Sequence, residues 1–161
     1  MGSGNYHGID ADGSVNNSVL PTLEGTINID GSVYQDAAEE LRAKFPNVTL
    51  NVLGGYYIRF ADPVVQAYAA SKWGDGYGTT VTQAEAVTEI PYSAFANKTE
   101  ITSFDEIKLF KNVKIIGRSA FDGCVNLRLD AASLPTGITS VGGYAFRKTK
   151  LFGKLNLPNL I

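Results

Sequence analysis

The chain has 161 residues, which is long enough to bury a core and suggests one domain or two small ones. Hydrophobic residues make up 44% and charged residues 19%, an ordinary globular composition that argues against wholesale disorder. The net charge of −2 argues against a dedicated nucleic-acid binder, for which a basic stripe is expected. No apolar run approaches the roughly 18 residues that span a bilayer, so no membrane insertion is expected.

The N-terminal stretch is rich in Gly, Asn, Ser and Asp and has no periodicity. We interpret residues 1–19 as an extended arm that becomes ordered only when a partner holds it. This stretch has neither the basic nor the apolar region of a signal peptide, so we expect that a leader was removed or that none was used. Asp10, Asp12 and Ser14 alternate as at the start of a calcium loop, but no glutamate follows at the required distance.

The next part of the chain predicts strands and one helix. Ser32 and Gln35 are spaced as a capping box, and the apolar residues that follow predict a helix that stops before Pro46. Short runs of alternating or β-branched residues, two of them separated by a Gly-Gly turn, predict strands over 23–29, 48–52 and 56–60.

A second helix is predicted after residue 60. Asp62 is suited to be its N-cap and Pro63 its first residue, since proline needs no N–H donor there. Gly74 ends the apolar pattern and therefore the helix.

Two more capping boxes predict short helices further on. Thr82 with Glu85 opens a helix that runs through Val87, and Ser103 with Glu106 opens another. The apolar face of the latter consists of Phe104, Ile107 and Phe110.

From residue 90 onward the chain repeats. The repeated phrases are Ile90-Pro91-Tyr92-Ser93-Ala94-Phe95, Ile116-Gly117-Arg118-Ser119-Ala120-Phe121 and Val141-Gly142-Gly143-Tyr144-Ala145-Phe146. Their phenylalanines recur at intervals of about 25 residues, a period typical of solenoids, in which each unit buries its apolar face on the next. We therefore predict a parallel sheet and a core ladder formed by Phe95, Phe121, Phe146, Ile116, Val141 and Leu127.

The segments 116–127 and 140–146 resemble BspA-type leucine-rich repeats, of the pattern I-G-x-x-A-F-x-x-C-x-x-L. These repeats occur in surface proteins of gut and oral bacteria and in some of their phages. The resemblance implies a right-handed solenoid with short parallel strands on one face, and it implies no chemistry.

Residues 60–110 resemble a module that often precedes these repeats and whose middle section resembles half of a calcium-binding helix–loop–helix. If Glu85 takes the twelfth loop position, the first, third and fifth positions fall on glycines 74, 76 and 78, which have no side-chain oxygen. Only Asp75 lies nearby, at an off-register position. We therefore predict a metal-free turn, with Glu85 as a capping residue, and no cofactor.

The sequence offers no set of residues that matches a known catalytic site. Cys124 could be a nucleophile, but it occupies a repeat position that packs inward, and the single histidine, His7, lies in the arm. We interpret Cys124 as a small buried hydrophobe. With one His, neither a Ser-His-Asp site nor a multi-histidine metal site is available, so no enzyme is predicted.

Charged residues also have simpler explanations than catalysis. Asp105 and Glu106 are adjacent carboxylates, which do not face each other on a helix and complement its dipole. A basic run could bind an anion but is better explained as a solvated face; it consists of Lys108, Lys111, Lys114 and Arg118.

Four aromatic residues could stack on sugar rings. A hydrophobic seam between the first helix and the sheet explains them better. They are Trp73, Tyr77, Tyr56 and Tyr57.

Taken as a whole, the sequence predicts an α/β chain: a right-handed leucine-rich-repeat solenoid with a strand–helix N-terminal cap. The predicted parts are the arm (1–19), the cap with its helical module (20–86) and about three repeats (87–161). Since the pattern stops at Ile161 inside a repeat and without a polar cap, we expect the natural chain to continue or a partner to cover this end.

The predicted function is a non-enzymatic attachment protein. The first hypothesis is a phage virion component of a tail or fibre, anchored in an oligomeric assembly by its arm and presenting its repeats to a host protein or glycan. The alternative is an adhesin module of a bacterial cell-surface protein. An anchoring arm would be buried against other chains, whereas the arm of an adhesin would be loose.

Overall fold

A computed structural model describes residues 23–161. The predicted arm and the side chains of His7, Asp10, Asp12 and Ser14 lie outside the described residues. The described residues belong to two compact units, one ending at Tyr57 and the other running from Ile58 to Ile161. Each unit mixes helices with short parallel strands.

The described part of the first unit, residues 23–57, contains two pairs of parallel strands and one helix. Its elements are β1 (Glu24–Ile29), β2 (Val33–Tyr34), α1 (Gln35–Lys44), β3 (Asn47–Val52) and β4 (Tyr56–Tyr57). β1 pairs with β3 along its whole length, and β2 pairs with β4. The strands predicted near 23–29 and 48–52 are therefore confirmed, and the helix does stop before Pro46.

Two predictions in this unit are wrong. Ser32 and Gln35 form no capping box, because residues 33 and 34 pair with β4 and the helix begins only at Gln35. Ser32 Oγ instead donates to the carbonyl of Gly54 at 2.8 Å. The strand predicted over 56–60 ends at Tyr57, where the sequence enters the second unit.

The first helix of the second unit, α2 (Pro63–Lys72), begins as predicted. Asp62 Oδ1 accepts from the N–H groups of Val64 at 2.9 Å and Val65 at 3.3 Å, so this carboxylate caps the helix. The helix ends two residues before Gly74, with Trp73 as its C-cap.

The next helix, α3 (Val81–Glu85), uses a different capping box from the predicted one. Gln83 N–H donates to Thr80 Oγ1 at 3.2 Å, and Thr80 N–H donates to Gln83 Oε1 at 2.9 Å. The pattern at 80–83 fits the capping-box spacing as well as the one at 82–85, and the helix that begins after Thr80 includes the fully buried Ala84. The prediction that Thr82 and Glu85 cap this helix is wrong.

The capping box predicted at Ser103 and Glu106 is also wrong. Asp105–Leu109 is a 3₁₀ helix whose N-cap, Phe104, makes no side-chain cap bond. Glu106 Oε1 accepts from Ala61 N–H at 3.2 Å instead. The predicted apolar face is confirmed, since Phe104, Ile107 and Phe110 are fully buried.

The repeated phrases supply very short parallel strands. β5 (Glu89–Ile90), β6 (Ile115–Ile116) and β8 (Ser140–Val141) form a three-stranded sheet, and β7 (Arg128–Asp130) pairs with β9 (Lys150–Phe152). A second 3₁₀ helix, Ala131–Ser133, follows β7 directly.

One hydrophobic core runs through the second unit. It includes side chains between residues 58 and 87 as well as side chains of the repeats. Residues from α2 and α3 therefore pack on the same core as the repeated phrases, with Val65, Ala69 and Ala84 fully buried.

Candidate functional site

The repeated phrases are held together by backbone hydrogen bonds from one repeat to the next. Gly117 N–H donates to Ile90 O, and Gly142 N–H donates to Ile116 O, each at 2.8 Å. The turns that follow the strands continue the ladder with N–H···O bonds of 2.7–3.0 Å: Ser93 to Arg118, Phe95 to Ala120, Asn97 to Asp122, Ser119 to Gly143, Phe121 to Ala145 and Gly123 to Arg147. The turn backbone is thus paired although the strands of this sheet are very short.

Each repeat bends at a left-handed residue of the same position. Ser93, Ser119 and Tyr144 have φ angles of 54°, 57° and 63°. Non-glycine residues seldom adopt this conformation, and bulky ones least of all. The third repeat has a tyrosine where the other two have a serine. Its aromatic side chain is therefore attached to a backbone of restricted conformation.

The three repeat phenylalanines form a stack. The ring centroids of Phe95 and Phe121 are 5.3 Å apart with planes 9° from parallel, and those of Phe121 and Phe146 are 5.3 Å apart with planes 8° from parallel. Ile116 and Leu127 are fully buried beside them, whereas Phe146 and Val141 are partly buried. Tyr68 of α2 packs on the other side of Phe95, at 4.4 Å between centroids.

The sheet of β5, β6 and β8 has one buried and one exposed side. The second residue of each strand points into the core, and the first points outward: Glu89, Ile115 and Ser140 lie in register on the exposed side. Ile115 is 40% exposed, and Tyr92, two residues after β5, is 69% exposed. One aliphatic side chain therefore lies open to solvent on this face, and one aromatic side chain lies open in the turn that follows β5.

A second exposed group surrounds Tyr144. The guanidinium carbon of Arg147 lies 4.4 Å from the centroid of its ring, and that of Arg118 lies 5.7 Å away. Arg147 also donates two hydrogen bonds of 2.8 and 2.6 Å to Asp122. These bonds hold the pKa of that carboxyl below its usual value, and the charge of Lys148 adds to the effect. We call these five residues the Tyr144 patch.

Sequence reasoning did not find the Tyr144 patch. Its signal was available, because Arg118 and Tyr144 lie 26 residues apart in the chain, close to one repeat length. Their positions within the repeated phrase differ by one residue, however, and only the folded turn brings them together.

Cys124 is buried, as predicted. Its Sγ donates to the carbonyl of Phe95 at 2.9 Å, and burial raises the pKa of the thiol to about 11. The thiol therefore stays protonated at neutral pH and packs as a small apolar group.

The residues of the supposed calcium loop make a turn. Asp75 Oδ1 accepts from the N–H groups of Tyr77 at 2.9 Å and Gly78 at 3.1 Å. Glu85 is not a capping residue, which corrects our interpretation: its Oε1 pairs with Lys111 Nζ at 3.3 Å. In residues 23–161 no three His, Cys, Asp or Glu side chains cluster as they would to hold a metal ion.

The adjacent carboxylates Asp105 and Glu106 have different surroundings. Asp105 is exposed, whereas Glu106 is partly buried beside Ala61. Burial raises the pKa of Glu106, although the hydrogen bond from Ala61 N–H acts in the opposite direction. The two carboxylates therefore do not share one environment, as a catalytic pair would.

The basic run is divided among different neighbours. Lys111 pairs with Glu85, Lys114 lies against Gly137, and Arg118 faces Tyr144. Lys108 and Lys111 line a shallow hollow of about 200 Å³. The four cations therefore do not form one anion site.

The four aromatic residues have different surroundings within their own units. Trp73 packs against the core of the second unit, 5.0 Å from Phe110 between ring centroids. The seam is wrong for Tyr77, which is 84% exposed. In the first unit, Tyr57 packs on Tyr34 at 5.1 Å, and Tyr56 Oη accepts from Arg42 Nη2 at 3.0 Å.

Within residues 23–161, the helices are too short or too polar to cross a membrane. Short parallel strands that recur once per repeated phrase, with an aliphatic and aromatic core behind them, are typical of leucine-rich repeats. Residues 88–161 match the family described as "BspA type Leucine rich repeat region (6 copies)", and this part of the chain is a BspA-type leucine-rich repeat region. No curated protein and no solved structure matches the chain.

The family match begins at residue 88 and does not reach the calcium-loop-like module, which stays an interpretation. Repeats of this family are typically non-catalytic and indicate a protein-binding module.

Proposed function

We propose that this chain is a non-enzymatic binding protein whose repeats form a right-handed solenoid and present the outward face of β5, β6 and β8 to another protein. The observation that carries the proposal is the exposure of Ile115 on that face and of Tyr92 in the turn that follows β5. Tyrosine and aliphatic side chains left open in this way form the buried centre of protein interfaces, where aromatic residues contribute most of the binding energy.

The solenoid proposal gives six side chains the role of the repeat core: Phe95, Phe121, Phe146, Ile116, Val141 and Leu127. Its support is the parallel stacking of the three rings and the in-register pairing of Ile90 with Ile116 and of Ile116 with Val141. A rigid core of this kind fixes the outward side chains in place, which lowers the entropy lost when a partner binds.

In its more specific form, the proposal is an attachment protein of a phage virion, in a tail or fibre. Residues 1–19 would anchor it, residues 20–86 would form the cap and residues 87–161 would meet a host protein or glycan. The support for anchoring is the composition of the arm, whose Gly, Asn and Ser offer too little apolar surface to order it alone. A cell-surface adhesin is the alternative.

Site-specific photo-crosslinking tests the binding face. A benzophenone amino acid replaces Tyr92 in one protein and Tyr77 in another; both positions are exposed, but only Tyr92 lies in a repeat. After irradiation in an extract or assembly from the source, we expect a discrete protein adduct at position 92 and none at 77. Adducts of equal yield at both positions, or at neither, would contradict the proposal.

Deletion of residues 1–17 tests the anchoring role. If the arm anchors the chain, the truncated protein loses incorporation into the parent assembly while its melting temperature stays the same. Normal incorporation of the truncated protein would remove the main support for the virion proposal and leave the adhesin as the better explanation.

A further inference from the structure

Charge is distributed unevenly along the chain. Residues 114–161 contain seven Lys or Arg and two Asp, a net charge of +5, whereas the whole chain has a net charge of −2. The remaining residues therefore have a net charge of −7. The charge is therefore not spread evenly, and the positively charged residues 114–161 attract negatively charged partners.

The Tyr144 patch is a concentrated part of this positive region. It holds two guanidinium groups beside one ring, and Lys148 adjoins them. Within residues 23–161, Arg147 is the one cation of the patch that has a carboxylate partner, Asp122, to which it donates two hydrogen bonds. Arg118 has no Asp or Glu oxygen within 4.0 Å among residues 23–161.

The two arginines flank the same ring but differ in what they bind. Arg147 shows how a guanidinium beside Tyr144 takes a carboxylate, with two N–H···O bonds in the fork geometry that favours arginine over lysine. Arg118 has the same kind of group beside the ring, but its N–H donors bind no carboxylate within residues 23–161.

The patch is also arranged before any partner arrives. The left-handed backbone of Tyr144 and the cation–π contacts limit the orientations of its ring, which is 54% exposed. A side chain that is ordered in advance loses less entropy on binding, and tyrosine and arginine are the residues most enriched at interface hot spots.

We infer that the Tyr144 patch binds an acidic segment of a protein partner: Arg118 takes an Asp or Glu carboxylate of the partner as Arg147 takes Asp122, and the partner covers the ring of Tyr144. This inference rests on the proposed function and names the chemistry of the partner. A protein fits better than a nucleic acid, because nucleic-acid affinity comes from many phosphate contacts and the net charge of −7 outside residues 114–161 repels a long polyanion.

The test uses a fluorescently labelled peptide in which Glu and Leu alternate, with binding to the full chain followed by anisotropy at an ionic strength of about 0.1 M. We expect Arg118→Gln to weaken binding about tenfold, the effect of removing one charge-assisted pair. Arg118→Lys keeps the charge but not the fork and should recover only part of the affinity. Lys72→Gln, which removes an exposed cation of α2, should change the affinity less than about twofold.

Four outcomes would overturn the inference. The first is an equal loss of affinity in Arg118→Gln and Lys72→Gln, and the second is equal binding of the same peptide with Gln in place of Glu. The third is displacement of the peptide by a single-stranded DNA of equal charge at equal concentration, and the fourth is self-association of the chain that blocks the peptide. Circular dichroism melting confirms that each variant is folded. If an adduct forms at position 92 and any of these four outcomes also occurs, the acidic partner is contradicted and the proposed function is not. The proposed function is contradicted by the crosslinking result.

Discussion

Asp62 and Thr102 are joined by hydrogen bonds although they lie far apart in the chain, at the N-cap of α2 and in the first repeat. Asp62 Oδ2 accepts from Thr102 N–H at 2.9 Å and from Thr102 Oγ1 at 3.4 Å, while Oδ1 caps α2. The carboxylate is only 3% exposed. One side chain therefore both starts a helix and ties it to the first repeat.

Removal of this carboxylate should destabilise the second unit. Asp62→Ala loses the cap and leaves the Thr102 N–H without its acceptor, so we expect a loss of about 2–3 kcal/mol in the free energy of unfolding. Asp62→Asn keeps one acceptor oxygen and should lose about half as much. Urea denaturation measures both variants. If Asp62→Ala lost no more than an ordinary surface substitution, about 0.5 kcal/mol, these bonds would contribute little.

Phe121 lies in the middle of the ring stack and is 1% exposed. Phe121→Ala should cost about 3–5 kcal/mol, as for other buried aromatic side chains. Phe152→Ala is the matched control, because Phe152 is exposed and its ring contacts the Arg128 guanidinium at 4.2 Å; we expect it to cost less than about 1 kcal/mol. Similar losses in the two variants would contradict the stacked core.

Two neighbouring glycines should respond differently to the same substitution. A Cβ at Gly142 would collide with the backbone of Arg118 in the preceding repeat, whereas a Cβ at Gly143 meets nothing within 4 Å. Gly142→Ala should lower the melting temperature clearly, since two backbones must separate. Gly143→Ala should be neutral or raise stability by up to about 1 kcal/mol, because it restricts the unfolded chain. The reverse order would mean that the repeats approach each other elsewhere.

The thiol of Cys124 should be unreactive in the native protein. With a pKa of about 11, roughly one thiol in a thousand is ionised at pH 8, and burial blocks access to that fraction. Iodoacetamide should label it only after unfolding in urea, as mass spectrometry can show. Val125→Cys combined with Cys124→Ala moves the thiol to an exposed neighbouring position and should label quickly without urea. Fast labelling of the native wild-type chain would contradict the burial.

Glu106 should make stability depend on pH. Because its pKa is raised in the folded chain, the folded state holds the proton more strongly than the unfolded state does. Its contribution is present below the ordinary pKa of 4.5 and is lost as the pH rises through the raised value.

Glu106→Gln keeps an acceptor for Ala61 N–H and never ionises, so it should gain stability relative to the wild type between about pH 4 and neutral pH. Melting temperatures over this range measure the gain, with Asp105→Asn as the control for removing an exposed charge. A constant difference between wild type and Glu106→Gln would refute the raised pKa.

Sequence by itself was enough to identify the repeat region and the approximate positions of most strands and helices. A recurring aliphatic, Ala and Phe pattern requires a surface on which each unit can bury these side chains, and the next unit is the nearest one. The N-cap at Asp62 was equally clear, because Asp followed by Pro matches the chemistry of a helix start. Such features depend on residues close together in the chain.

Tertiary structure decided the features that several local patterns could satisfy. Thr80 and Thr82 both begin plausible capping boxes, and the folded chain uses the first. Glu106 was spaced to cap a 3₁₀ helix but accepts a hydrogen bond from Ala61, far away in sequence. The Tyr144 patch was invisible for the same reason: hydrogen bonds and cation–π contacts depend on distances in space, and the turn that brings Arg118 to Tyr144 exists only once the repeats have stacked.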